Sequence, residues 1–135
     1  MKISLPLDVF IPLKTREDKK IILNLNVYRN AHHMTLNQAK MEFKRHVELL
    51  ALNVKDLCPM PFTFSYTVYP GSGRAFDLGN VCSIIQKFTD DALIELGIIK
   101  DDSYKVVRKV VYRFGEIDKE NQRAELEIKP WKEDL

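Results

Sequence analysis

Cysteine is scarce in this chain of 135 residues: Cys58 and Cys82 are its only two. They are too few and too far apart to build a zinc site, and both are expected to stay reduced in a cytoplasmic setting. Nowhere do 18 apolar residues follow one another, so no transmembrane helix and no membrane partner are expected. Charge of one sign is also in short supply. The chain has 21 Lys and Arg against 19 Asp and Glu, a formal net charge of +2, so affinity for nucleic acid would have to come from the distribution of the cations. His32, His33 and His46 have no metal-ligand spacing. The loop PGSGR at 70–74 lacks the Lys-Ser/Thr ending of a phosphate-binding P-loop, which argues against nucleotide hydrolysis. The first residues, MKISLPLDVFIPLKTRED, alternate like a strand and are broken by prolines, so a strand is expected there and not a signal peptide. The chain contains no internal repeat and no low-complexity segment.

What is present suffices for one domain with a real core. Apolar residues make up 45% and charged residues 30% of the chain, as in an ordinary soluble globular protein. Ile3, Leu5, Leu7, Val9 and Ile11 alternate along one face of a strand, with Pro6 and Pro12 favouring an edge position or early termination. KTREDKK (14–20) reads as a solvated turn, and IILNLNVY (21–28) as a second strand or an extended arm. Thr35 suits the N-cap of a helix whose apolar face is Leu36, Ala39, Phe43, Val47 and Leu50 and which ends near Asn53. Lys40, Lys44 and Arg45 lie off that face, as a solvated surface or as contacts to a phosphate backbone. FTFSYTVYP (62–70) alternates as a strand that Pro70 ends.

The spacing predicts a helix over 78–97 with a broad apolar face of Val81, Ile84, Ile85, Phe88, Ala92 and Leu96. Asn80, Ser83, Lys87 and Asp91 form a polar stripe down another side, and Gly97 closes the helix. SYKVVRKVVYRF (103–114) and QRAELEIKP (122–130) read as strands joined into a hairpin by GEIDKEN. The resulting order predicts an α/β (or α+β) domain, a mixed sheet with two helices packed on one face.

Acids flank the 78–97 helix, Asp77 before it and Asp101 with Asp102 after it. A helix with carboxylates at both mouths is expected to bring acids distant in sequence together, the minimum for a divalent-metal site. Mg²⁺ takes hard oxygens, usually one or two carboxylates with waters and substrate phosphate oxygens, and such an ion can activate water in phosphodiester hydrolysis. The same acids would serve equally well as helix caps or turn residues. Lys87 could touch a scissile phosphate or pair with Asp91 one turn on. Trp131 is expected to pack against the sheet or a partner subunit.

FDLGN, a helix containing KFTDDALIELGI, KDD, and then strands ending in AELEI together resemble the RusA family of Holliday-junction resolvases. LNVYRNAHHMTLNQAKMEFK also looks like that family's N-terminal arm and first helix. The likeness covers most of the chain and is most specific between Asp77 and Asp102. It implies a RusA-like fold over residues 1–135 and a homodimeric, Mg²⁺- or Mn²⁺-dependent endonuclease that nicks opposing strands of a four-way DNA junction in recombination and repair, inside a bacterial cell or encoded by a phage. Asp77 matches the motif's first acid, Asn80 its Asn, and Lys87 its helix lysine if a four-residue insertion is allowed. Asp91 matches the acid of Asp-Ala-Leu, and Asp101 with Asp102 the acidic pair. The resemblance therefore implies Asp77, Asp102 and Lys87 in catalysis and Asp77, Asp102, Asp101 and Asp91 as the metal-ligand set.

Two departures stand out. The motif's second Asp is Gly79 here, and where the family carries a run of arginines only Arg74 stands. DNA contact would then draw on Arg74, Asn80, Lys105, Arg108, Lys109 and Arg113. A protein of the same fold that binds junction or duplex DNA without cutting it is the alternative, and Gly79 favours it; phosphate neutralisation needs no metal. A small host-interacting phage protein without DNA affinity is a third reading.

Overall fold

The computed structural model describes residues 1–14, 16–51 and 57–133. The 2–11 alternation becomes two strands, not one. Pro6 and Leu7 turn the chain between β1 (Lys2–Leu5) and β2 (Asp8–Ile11), and Ile3, Leu5, Val9 and Ile11 are all buried. Strand β2 pairs antiparallel with β3 (Lys19–Ile22) in a separate two-stranded ribbon, Val9 opposite Ile21. Residues 25–28, read from sequence as strand or arm, are helical. Helix α1 (Leu25–Asn30) starts there because the Asn24 side chain accepts a hydrogen bond from the Val27 amide at 2.8 Å, satisfying one of the free donors of the first turn.

Helix α2 (His33–Ala51) begins two residues before Thr35. The His32 ring nitrogen Nδ1 accepts from the Met34 amide at 3.2 Å, in the way a shorter capping side chain would. Ala39, Phe43 and Val47 are fully buried, as their spacing requires, while Leu50 is exposed. The expected end near Asn53 lies outside the described residues. Lys40 pairs with Asp91 (3.7 Å) and Lys44 with Glu95 (3.1 Å) across the interface with the next helix, and Arg45 pairs with Glu42 (2.9 Å). These cations have local partners, exposed ion pairs of the kind a solvated helix surface forms.

Strand β4 (Phe62–Tyr69) is an inner strand of a four-stranded mixed sheet. Phe62, Phe64, Tyr66 and Val68 point into the core and are at most 2% exposed. Helix α3 (Leu78–Glu95) carries the chain back so that β5 (Val107–Phe114) runs parallel to β4; a parallel neighbour needs such a crossover. Strand β6 (Arg123–Pro130) then pairs antiparallel with the other edge of β4 and with β1, giving the order β1-β6-β4-β5. The β5–β6 hairpin expected from sequence is therefore not formed. The eight residues 115–122 are long enough to step across β4, whose apolar row holds the central place. Gly115 and Asp118 donate to the carbonyls of Val68 and Pro70 on the way, both at 2.8 Å.

Helix α2 packs on β1 and β2, α3 packs on β4 and β5, and the two helices pack on each other. The result is an α+β architecture with two long helices on one face of a mixed sheet, and the short α1 packed against α3. The other sheet face is a polar hollow of about 500 Å³ lined by Lys2, Thr67, Arg113, Glu127 and their neighbours. Among the described residues no helix is long and apolar enough to cross a membrane.

Candidate active site

Asp77 is the N-cap of α3. Its Oδ1 accepts from the Gly79 amide at 3.0 Å, and its carbonyl accepts from Asn80 at 3.1 Å. Asn80 reaches sideways to take the amide of Leu25, the first residue of α1, at 3.1 Å, so it ties the arm to the helix. Gly79 stands where a Cβ would meet only Asp77 Oδ1, at 3.5 Å, an ordinary contact. Arg74 is exposed in the preceding loop, and its guanidinium has no partner among the described residues.

Helix α3 closes as the sequence predicts. Gly97 has a positive φ of 72°, its amide donates to Ile94, and the Ile98 amide donates back to Leu93 at 2.9 Å. This double bond satisfies the last carbonyls of the helix. The chain then passes Asp101 and Asp102. Asp101 Oδ1 accepts from the amide (2.9 Å) and the hydroxyl (2.6 Å) of Ser103, and these hydrogen bonds hold its carboxyl below the usual range. Asp101 is thus a turn residue that shapes 103–106, the stretch expected to open a longer strand. Tyr104 consequently lies in a turn and is 70% exposed.

The acid that turns inward is Asp90. It is 6% exposed, and its Oδ1 has no hydrogen-bond partner. Burial pushes its carboxyl up to about 7, with the charge of Asp102 adding to the effect and a hydrogen bond from Gln86 opposing it. Gln86 is held in turn by the Tyr112 hydroxyl of β5, which donates to its Oε1. Beneath them the Tyr66 hydroxyl is fully buried without a hydrogen-bond partner; burial first, then the Asp90 charge, raises its pKa well above the ordinary value. Thr89 lies beside it, but its hydroxyl donates to the Ile85 carbonyl at 2.7 Å. Lys87 is exposed, close enough for its charge to favour the ionised form of Asp90. The charges of Lys100 and Lys105 act on Asp101. Asp90, Asp101 and Asp102, with Lys87, Lys100 and Lys105, therefore act on one another electrostatically about the C-terminal half of α3 and the loop after it.

Not all the predicted site residues come together. Asp77 precedes Asp90 by 13 residues, about 20 Å along a helix axis, so Asp77 and the Asp90–Asp102 pair stand toward opposite ends of α3. A straight helix holds its mouths apart and does not bring them together. Asp91 is drawn to Lys40 of α2, and no Lys87–Asp91 pair forms among the described residues. Arg74 and Asn80 remain at the Asp77 end. Arg108 lies over the Trp131 ring, 4.8 Å from its centroid, and Nε donates to the Tyr104 carbonyl at 3.4 Å. Lys109 sits opposite Thr63 in the β4–β5 register, and Arg113 lines the hollow on the far face of the sheet. Among the described residues no three His, Cys, Asp or Glu side chains gather as a metal-holding group; Asp90 and Asp102 are close enough for the charge of one to act on the other.

Asp90, Gln86 and Tyr112 are the members that sequence reasoning missed. Asp90 follows Gln86 by four residues and precedes Leu93 by three, a spacing that places it at the border of the apolar face. The Asp-Ala-Leu motif points instead to Asp91, its neighbour. No protein-family model matches the chain, and no curated protein matches it.

Proposed function

We propose that the protein is a RusA-type endonuclease whose working acids are Asp90 and Asp102. The observation that carries this reading is the buried, unpartnered Oδ1 of Asp90, within reach of the charge of Asp102. Burying a carboxylate next to a like charge is costly unless something positive joins them. Two carboxylates with waters and phosphate oxygens are an ordinary set for Mg²⁺ or Mn²⁺, so the residues fit the ion. Bound there, the ion would supply an activated water and charge stabilisation on the leaving oxygen.

The chain's own residues have distinct tasks in this scheme. Gln86, braced by Tyr112, fixes the Asp90 rotamer. Asp101 shapes the turn that presents Asp102. Lys87, Lys100 and Lys105 offer exposed cations to the phosphates on either side of the scissile bond. Arg108 and Trp131 extend that surface, while Arg74 and Asn80 contact DNA at the other end of α3. Two symmetric nicks in a four-way junction call for a two-fold protein, so the active species is a homodimer acting in the cytoplasm of a bacterial cell. The test is cleavage of a synthetic four-way junction with Mg²⁺ by the native chain, Asp90→Asn and Asp102→Asn. Paired nicks lost in both variants support the reading.

A second reading is favoured by the meeting of two acids and not three, with Gly79 at the family's second acidic position. In it the chain binds junctions and does not cut them. Salt-dependent junction binding without cleavage in Mg²⁺ or Mn²⁺ would establish that reading in place of the first.

A further inference from the structure

The loop 70–76 closes one side of a cavity of about 280 Å³ whose other side is the β2–β3 ribbon. Its walls are apolar: Leu7, Ile22, Val68, Phe76 and Val81. Lys20 and Arg74 stand at its rim with Asp8. The three charges are unequally used. Lys20 lies 3.6 Å from Asp8 Oδ2, and Gln122 donates to the same oxygen at 3.1 Å, so Asp8 is charge-balanced by Lys20 and hydrogen-bonded by Gln122. Arg74 keeps an unpaired guanidinium among the described residues. On the other flank of the same loop, a second apolar hollow of about 230 Å³ reaches Phe114 and Ile117, which are 53% and 49% exposed. A slot with apolar walls, one of them the Phe76 ring, and one spare cation among its lining residues matches a ring joined to a phosphate.

We propose that the slot between the β2–β3 ribbon and the 70–76 loop receives one unstacked base of a DNA strand, with the flanking phosphate on Arg74. This rests on the DNA reading above and adds a site at the opposite end of α3 from Asp90 and Asp102. Bases enter such slots because an apolar wall replaces the lost stacking, and a strand at a branch or gap has already given up part of that stacking. The charge balance at the rim favours this occupant over an apolar side chain of a protein partner, which would leave Arg74 unmatched.

The test is titration of a four-way junction carrying a single 2-aminopurine at the branch, in chelator, with the native chain, Ala75→Trp and Arg74→Gln. Ala75 is exposed at the slot, so tryptophan there fills the slot without changing charge, and a thermal melt checks the fold of each variant. The expected result is a rise in 2-aminopurine emission with the native chain, loss of that rise in Ala75→Trp, and roughly tenfold weaker binding, the scale of one lost base stack. Arg74→Gln, which leaves the walls intact, should weaken binding and flatten its salt dependence by about one phosphate. Salt-dependent binding by all three proteins with unchanged emission and affinity would overturn the base slot and leave the DNA reading standing. No binding by the native chain would overturn both. Unchanged DNA binding with self-association lost in Ala75→Trp would assign the slot to a second copy of the chain and overturn the proposal.

Discussion

The two ends of α3 use their acids in opposite ways. At the N-terminal end Asp77 is exposed and occupied, since it caps the helix through the Gly79 amide. Past the C-terminal end Asp101 is likewise occupied, by both polar groups of Ser103. Asp90 is buried with an unused oxygen and a like-charged neighbour. An acid whose oxygens are satisfied by the local backbone is already explained by the fold, whereas a buried acid with an unpartnered oxygen under the charge of another acid is a cost that the fold leaves unrelieved. The motif names Asp77, Asp91, Asp101 and Asp102 alike; hydrogen bonding and ion pairing separate them.

The sharpest way to break this contrast is by activity. Asp90→Asn and Asp102→Asn should each lower junction cleavage at least about 100-fold, the scale for losing electrostatic support at a reacting group, while Asp77→Ala should leave it nearly intact. Equal losses in all three would erase the distinction between the two ends.

The next effect is on stability. Asp90 ionises at about pH 7 in the folded chain, against 3.8 for a free carboxyl. Between those values the folded state binds the extra proton, so stability present below about pH 4 is lost as pH rises through 7. The shift caps the loss at about 4 kcal/mol, and urea unfolding from pH 4.5 to 8 would read it. Asp90→Asn should flatten that slope. At pH 8, Mg²⁺ should restore part of the loss, about 2.7 kcal/mol at a hundred times its Kd, in the native chain but not in Asp102→Asn.

Smaller effects belong to the other end. Asp77→Ala removes an N-cap and should cost about 1 kcal/mol in thermal or urea unfolding. Gly79→Asp should fold, since its Cβ has room, and should shift stability by less than about 1 kcal/mol. It should not raise cleavage, although it restores the family's second acid; a gain would place the ion at the Asp77 end.

Much of the fold was legible because periodicity and end signals agree. Helix α3 and its Gly97 cap, strand β4 and the inward row of β6 all follow from spacing and capping chemistry. The order of β4, β5 and β6 did not, because a hairpin and an interposed strand differ only in where a long loop goes. The α1 start was hidden in Asn24, whose capping role depends on one hydrogen bond to Val27. At the proposed site, Lys87 and Asp102 follow from the motif and Lys105 from the charge pattern. Asp90 was not, because adjacent Asp residues differ by only about 100° around a helix, and the Lys40 pairing that turns Asp91 aside is invisible in one sequence.

The most direct test of the central claim is paramagnetic broadening of backbone amide signals by Mn²⁺ at substoichiometric amounts. Loss of signal centred on residues 86–90 and 101–103, with Asp77 to Asn80 unaffected, is the predicted result. Broadening centred on Asp77 to Asn80 would contradict the account and return the metal to the mouth of the helix.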